Sequence, residues 1–256
     1  MSVLDEITTK PMIRPPRILL LGQEKVGKTT WAAGADNPIL IPVRGEEGAD
    51  EFAIPRLPVR MSYNDTLAAL GDLYKEDHEF KTVVIDSASA FEPLVFDAVV
   101  EADPKAESIE KVGGGFGKGY TEALEYWRRI TNGLDCLRNE RSMASIIIGH
   151  VKVKRFDDPT GESFDKYFMD LNDRAANLLY RWADVILFAK TKVHVTEDEA
   201  TKKKRGIGQD ERVLLTQARP GHPGGGRGVY GRIPYELPLD YNAFTNAVSQ
   251  AVSTSK

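Results

Sequence analysis

Eight consecutive residues, Gly22-Gln23-Glu24-Lys25-Val26-Gly27-Lys28-Thr29, hold two glycines, a lysine and a hydroxyl at the spacing of a P-loop. Glycines at both ends let the backbone curl so that successive N–H groups face inward, where they bind phosphate oxygens. Lys28 would reach the terminal phosphates of a nucleotide, and the Thr29 hydroxyl would hold its Mg2+. Gly22, Gln23, Glu24, Lys25, Val26, Gly27, Lys28, Thr29 and Thr30 are therefore the expected nucleotide-contacting residues. The flanks agree: Ile18-Leu19-Leu20-Leu21 reads as a strand before the loop, and Trp31-Ala32-Ala33 continues a helix after it, whose positive end adds to the cradle.

Three more residue groups fit around such a loop. The apolar run Thr82-Val83-Val84-Ile85 ends in Asp86, as a central parallel strand covered on both faces would, with the carboxylate placed to hold Mg2+ beside Thr29. Met143 to Ile148 reads as another buried strand, ending in Gly149-His150. With that strand between the loop strand and the Asp86 strand, His150 approaches the γ-phosphate and is a candidate sensor of nucleotide state. Beyond a further strand, Ile39-Leu40-Ile41-Pro42-Val43, stand Glu46 and Glu47, either of which is a candidate for orienting the attacking water.

Two segments combine cations with rings. Val112-Gly113-Gly114-Gly115-Phe116-Gly117-Lys118-Gly119-Tyr120 reads as a flexible loop in which Lys118 and Tyr120 could meet single-stranded nucleic acid. Val151 to Tyr167 reads as a long loop, basic at its start through Lys152, Lys154 and Arg155, with Lys166 near its end and aromatics interleaved.

The elements that must position these residues alternate between strand and helix, which predicts an α/β fold with a mostly parallel central sheet and helices on both faces. Residues 1–16, with Pro11, Pro15 and Pro16, form an N-terminal arm; 17–190 form the core; 191–256 form an appendage. Pro42 predicts an edge position for the second strand. Asn64 is the expected cap of a helix that buries Leu67, Leu70 and Leu73, and Trp127 and Ile130 mark the core face of a later one. Segments 192–195 and 212–216 are expected to pair as a hairpin, followed by a glycine-rich basic loop and a helix introduced by Pro238-Leu239-Asp240.

Composition narrows the class. A chain of 256 residues can bury a full core. One cysteine, Cys136, rules out an intrachain disulfide and a cysteine-based zinc cluster, and the four histidines are scattered, so Mg2+ is the one ion expected. A net charge of -4 argues against a uniformly basic nucleic-acid binder, although residues 201–256 hold nine Lys and Arg against four Asp and Glu. Apolar runs are too short to span a bilayer and the first residues lack a basic-then-apolar pattern, so a cytoplasmic protein without membrane contact is expected.

With Gly22–Thr30, Val83–Ser87 and the strand ending at His150 in place, the sequence resembles RecA-type ATPases. More narrowly it resembles the small phage-encoded ATPases described as RecA-like single-strand annealing proteins, often grouped with phage nucleotide-binding or AAA-family proteins. The likeness extends over nearly the whole chain, including Gly117-Lys118-Gly119-Tyr120, Gly149 to Phe156 and Trp182 to Phe188. It implies a RecA-like core with a C-terminal β-hairpin extension, and a protein that binds and hydrolyses ATP with Mg2+. It also implies assembly on single-stranded DNA as a homo-oligomer, ring or filament, and annealing or strand pairing in phage recombination inside a bacterial host. By position, Glu46 matches the water-activating residue of that group, with Glu47 as the fallback. The segments 112–120 and after His150 fall where the two DNA loops lie, and Arg219 and Arg227 are candidates for a cation supplied in trans. A single-strand-binding protein is a possible partner.

Two other classes remain open at this point. A P-loop phosphotransferase would carry an arginine-bearing lid over a second small substrate, and a nucleotide-switched interaction protein would bind ATP without turnover.

Overall fold

The computed structural model describes residues 7, 14–46, 53–197 and 204–254, with 193–197 and 204–210 given by their backbone alone. Five parallel strands form the centre of the main sheet. They are β1 (Arg17–Gly22), β2 (Pro38–Pro42), β3 (Thr82–Asp86), β4 (Ala144–Gly149) and β7 (Val185–Glu197), in the spatial order β7-β1-β4-β3-β2. β4 thus stands between the P-loop strand and the Asp86 strand, as expected of a RecA-like core.

Each central strand is a short run of branched apolar residues with both faces covered, the pattern of a buried parallel sheet. Alternation sends Leu19 and Leu21 into a core under α2 (Tyr63–Lys75), α3 (Ala88–Glu101), α4 (Lys118–Glu140) and α5 (Asp173–Trp182). Ile18 and Leu20 enter the opposite core, closed by α1 (Lys28–Ala33) and α6 (Tyr241–Ser253). The result is three layers, helices on both faces of one sheet.

The C-terminal part extends that sheet. β7 runs past the end of β1 and returns antiparallel as β8 (Lys204–Leu215), which pairs in turn with β10 (Glu236–Pro238), while β9 (Gly225–Gly226) pairs with the start of β7. A hairpin is therefore present, but not with the expected partners: residues 188–191 pair with 212–215 and 193–197 with 204–208, so 192–195 does not meet 212–216, because β8 starts earlier and is longer than the apolar run at its end. Its tip, residues 198–203, and most of the N-terminal arm lie outside the described residues. β2 is the last named strand at its edge, as Pro42 indicates, and an extended segment covers it: Arg60 N donates to the Pro42 carbonyl at 2.8 Å and Leu57 N to Leu40 at 2.9 Å.

Three further expectations change. The cap of α2 is Ser62, whose hydroxyl accepts from Asp65 N, and not Asn64; the helix starts earlier because Tyr63 is buried against the rings of Phe91 and Tyr126. The glycine-rich segment is shorter as a loop than expected: Val112–Gly114 is a 3-10 turn, and α4 already begins at Lys118. Residues 151–167 belong to a hairpin, not a long loop. β5 (Val151–Phe156) and β6 (Phe164–Met169) pair antiparallel in perfect register, carrying the period-two alternation that its basic and aromatic residues already spell out.

Candidate nucleotide site

The P-loop leaves β1 at Gly22 and enters α1 at Lys28. Lys25 and Gly27 take positive φ, 58° and 105°, which is the conformation that turns successive N–H groups to one side. A side chain at Gly27 would be both strained and crowded.

Lys28 is buried, 5% exposed, and its ammonium uses the loop's own carbonyls, donating to Gly22 O at 3.0 Å and Gln23 O at 2.6 Å. Its third neighbour is His150 Nδ1 at 3.5 Å. With Nδ1 facing a cation, the imidazole proton sits on Nε2, which donates to Glu46 Oε1 at 2.6 Å. Ser87 Oγ donates to the same carboxylate oxygen at 2.7 Å, and Ser89 Oγ accepts from His150 N at 3.1 Å. On the other side of Lys28, Thr29 Oγ1 donates to Asp86 Oδ2 at 2.7 Å, and the Asp86–Ser87 peptide is cis. Seven residues from four separate segments of the chain thus meet at the carboxyl ends of β1, β2, β3 and β4.

Burial and charge set the protonation of this group. Burial lowers the Lys28 ammonium below the ordinary lysine value, against the opposing pull of Asp86, Glu46 and Glu24. Burial likewise raises the Asp86 carboxyl, with the Thr29 hydrogen bond opposing. Burial would raise Glu46 too, but the hydrogen bonds from His150 and Ser87, with the nearby Lys28 ammonium, outweigh it and hold Glu46 below the usual glutamate range. Glu46 is therefore an ionised carboxylate, able to orient and accept from a water.

The Asp86 carboxylate and Thr29 hydroxyl are two hard oxygen donors side by side next to a buried ammonium, a set that fits Mg2+ carried with a triphosphate. The P-loop residues, Asp86, Glu46 and His150 lie together, while Glu47 lies outside the described residues. Ser87 and Ser89 join the site without having been singled out. Their signal was in the sequence, two hydroxyls directly after a buried strand's terminal Asp86.

The other expected residues lie elsewhere. Lys118 donates to Gly113 O at 2.9 Å, and Tyr120 donates to Glu110 Oε1 at 2.9 Å with its ring against Phe96. Between them and the 3-10 turn, Phe116 is fully exposed, 100%, on a run of positive-φ residues; aromatic exposure of that kind is not readable from residue type. Lys152 pairs with Asp170 at 2.8 Å and Lys154 with Asp173 at 3.1 Å. Lys166 stands over the rings of Phe156 and Phe168, and Arg155 lines a pocket with Lys154, Phe168 and Tyr180. Arg174, next to Asp173, donates to Gly117 O at 3.0 Å, so the hairpin and the glycine-rich turn meet at the start of α5. Arg219 lies over the Tyr235 ring, and Arg227 bonds to the Arg181 carbonyl and lies 3.9 Å from Asp184, at the end of the sheet opposite the P-loop.

Comparison with known proteins adds a family. No curated protein matches this chain. Among solved structures, a crystal structure of the RadB recombinase is similar at 15% identity with a TM-score of 0.40, over 79% of this chain and 89% of that one. Among the described residues no helix is long and apolar enough to cross a membrane. Residues 14–228 match the family model AAA_24, described as AAA domain, and this span contains every residue of the P-loop site just described. The chain belongs to that AAA-domain family and carries its P-loop ATPase core.

Proposed function

We propose that this protein hydrolyses ATP, binds single-stranded DNA as a homo-oligomer, and promotes annealing or strand pairing in phage recombination. The observation that carries the hydrolytic part is the chain Lys28–His150–Glu46, flanked by Thr29–Asp86, at the carboxyl ends of four parallel strands. Mg2+ held at Thr29 and Asp86 would neutralise charge on the phosphates. Lys28 binds the terminal phosphates, Glu46 orients the water and takes its proton, and His150 holds Glu46 in place through Nε2–H. A cation from a neighbouring copy, Arg219 or Arg227, would complete the charge stabilisation.

Support for the DNA part comes from the chain path. β5 begins at the residue after His150, and Tyr167 on β6 accepts from Gln23 of the P-loop at 3.4 Å. The hairpin that bears Lys152, Lys154, Arg155 and Lys166 with Phe156, Phe164 and Phe168 is thus attached to the nucleotide site at both ends. Lys154 and Lys166 over the half-buried rings of Phe156 and Phe168 suit a phosphate backbone and its bases together. Phe116, beside Lys118 and Tyr120 and tied to the same α5 terminus, extends this surface. Such an arrangement favours a polymer ligand over a small phosphate acceptor.

The test is ATP hydrolysis with and without single-stranded DNA at two salt concentrations, in wild type, Lys28→Ala and Lys152→Ala/Lys154→Ala, alongside annealing of complementary oligonucleotides. DNA stimulation that weakens with salt, is lost in the first variant and is reduced several-fold in the second supports the reading. Hydrolysis indifferent to DNA, with no DNA binding at low salt, removes the recombination role.

A further inference from the structure

Arg212 has no part in the site described above, yet it lies against the P-loop. It stands on β8, paired with Thr191, two residues beyond the level where Ala189 meets Gly22. Its side chain is on the α1 face: a methyl placed on Gly27 would stand 3.1 Å from Arg212 Nη1, 3.9 Å from its Cδ and 3.5 Å from Leu239 Cδ2. Arg212 is exposed. Among the described residues no carboxylate or carbonyl engages its guanidinium, whereas the neighbouring Lys192 is held by Glu211 and Glu236 at 3.2 and 2.6 Å.

The two sides of the loop differ in chemistry. Toward β4, β3 and β2 lie His150, Asp86 and Glu46, the groups able to act on a terminal phosphate. Toward β7 and β8 the group set against the loop is the guanidinium of Arg212, bonded to no carboxylate or carbonyl among the described residues. A nucleotide lying across the tip of β1 with its terminal phosphate on the first side must extend its nucleoside end toward the second.

We infer that Arg212 is an intramolecular nucleotide-binding residue, which pairs through its planar fork with the phosphate nearest the ribose. This rests on the reading of the loop as a nucleotide site. It also separates Arg212 from Arg219 and Arg227, whose proposed action is on a neighbouring copy.

Affinities of the full chain for ATP, ADP and inorganic tripolyphosphate, measured by calorimetry or by competition with a fluorescent nucleotide, test it. Arg212→Ala and Arg212→Gln are each compared with wild type, the second keeping side-chain length should the first disturb β8. Expected is a loss of about tenfold for ATP, ADP and tripolyphosphate alike, since each can place a phosphate at that position; a loss for the nucleotides with tripolyphosphate bound as by wild type overturns it, because the contact would then be with ribose or base. Unchanged binding of ATP and ADP overturns the inference while leaving the nucleotide site intact. A loss confined to ATP also overturns it, because the contact would then be at the terminal phosphate. Wild-type protein that binds neither nucleotide overturns the nucleotide site itself, and the inference with it.

Discussion

Glu46 shows how one side chain acquires a role from its neighbours. Alone it would be an acidic residue in a turn; two donors converging on Oε1, from His150 and Ser87, keep it ionised and aimed. Glu46→Gln should therefore retain ATP binding and lose hydrolysis by about a hundredfold or more, the range for removal of a general base. Nucleotide affinity and phosphate release, measured on the same preparation, check this; a variant with near wild-type turnover excludes Glu46 as the base.

At the scale of elements, the join between α3 and α5 carries a buried carboxyl. Both oxygens of Glu92 accept from Asn172 N at 2.9 Å, and burial, opposed by that hydrogen bond, pushes the Glu92 carboxyl up to about 7 from an ordinary 4.5. The folded chain thus keeps a proton that the unfolded chain releases, so stability falls as pH rises through this window and levels off above it. Glu92 alone should lower unfolding free energy by about 2 kcal/mol between pH 5 and 8. Glu92→Gln, which keeps an acceptor for Asn172, should flatten that slope in urea titrations; an unaltered slope assigns it to other groups. The same α5 terminus joins the hairpin and the turn bearing Phe116, so its integrity bears on the proposed DNA surface.

For the molecule as a whole, α6 is a structural layer and not a loose tail. Phe244, 2% exposed, packs 5.6 Å from the Trp31 ring and 6.4 Å from Tyr230, closing the core that contains α1. Phe244→Ala should cost about 3 to 5 kcal/mol, read as a lowered urea midpoint. Because Trp31 lies on α1, directly after the P-loop, nucleotide affinity should fall in the same variant. Loss of stability with full affinity would show that the loop is held by β1 alone.

Much of this was legible in the sequence. The P-loop, the Asp86 strand and the strand ending in His150 rely on local pattern, a run of apolar residues with a functional residue at its carboxyl end, so spacing alone specified them. The pairing of Glu46 with His150 did not follow, because it joins residues 104 apart through the order of β2, β3 and β4, which long-range packing decides. The hairpin at 151–169 was readable by its alternation, yet its length and charge pointed to a loop; only cross-strand pairing distinguishes the two. Arg212 was invisible for a stronger reason. Its sequence neighbours say nothing of Gly27, and it reaches the loop only because β8 returns along β7 and sets alternate side chains on the α1 face.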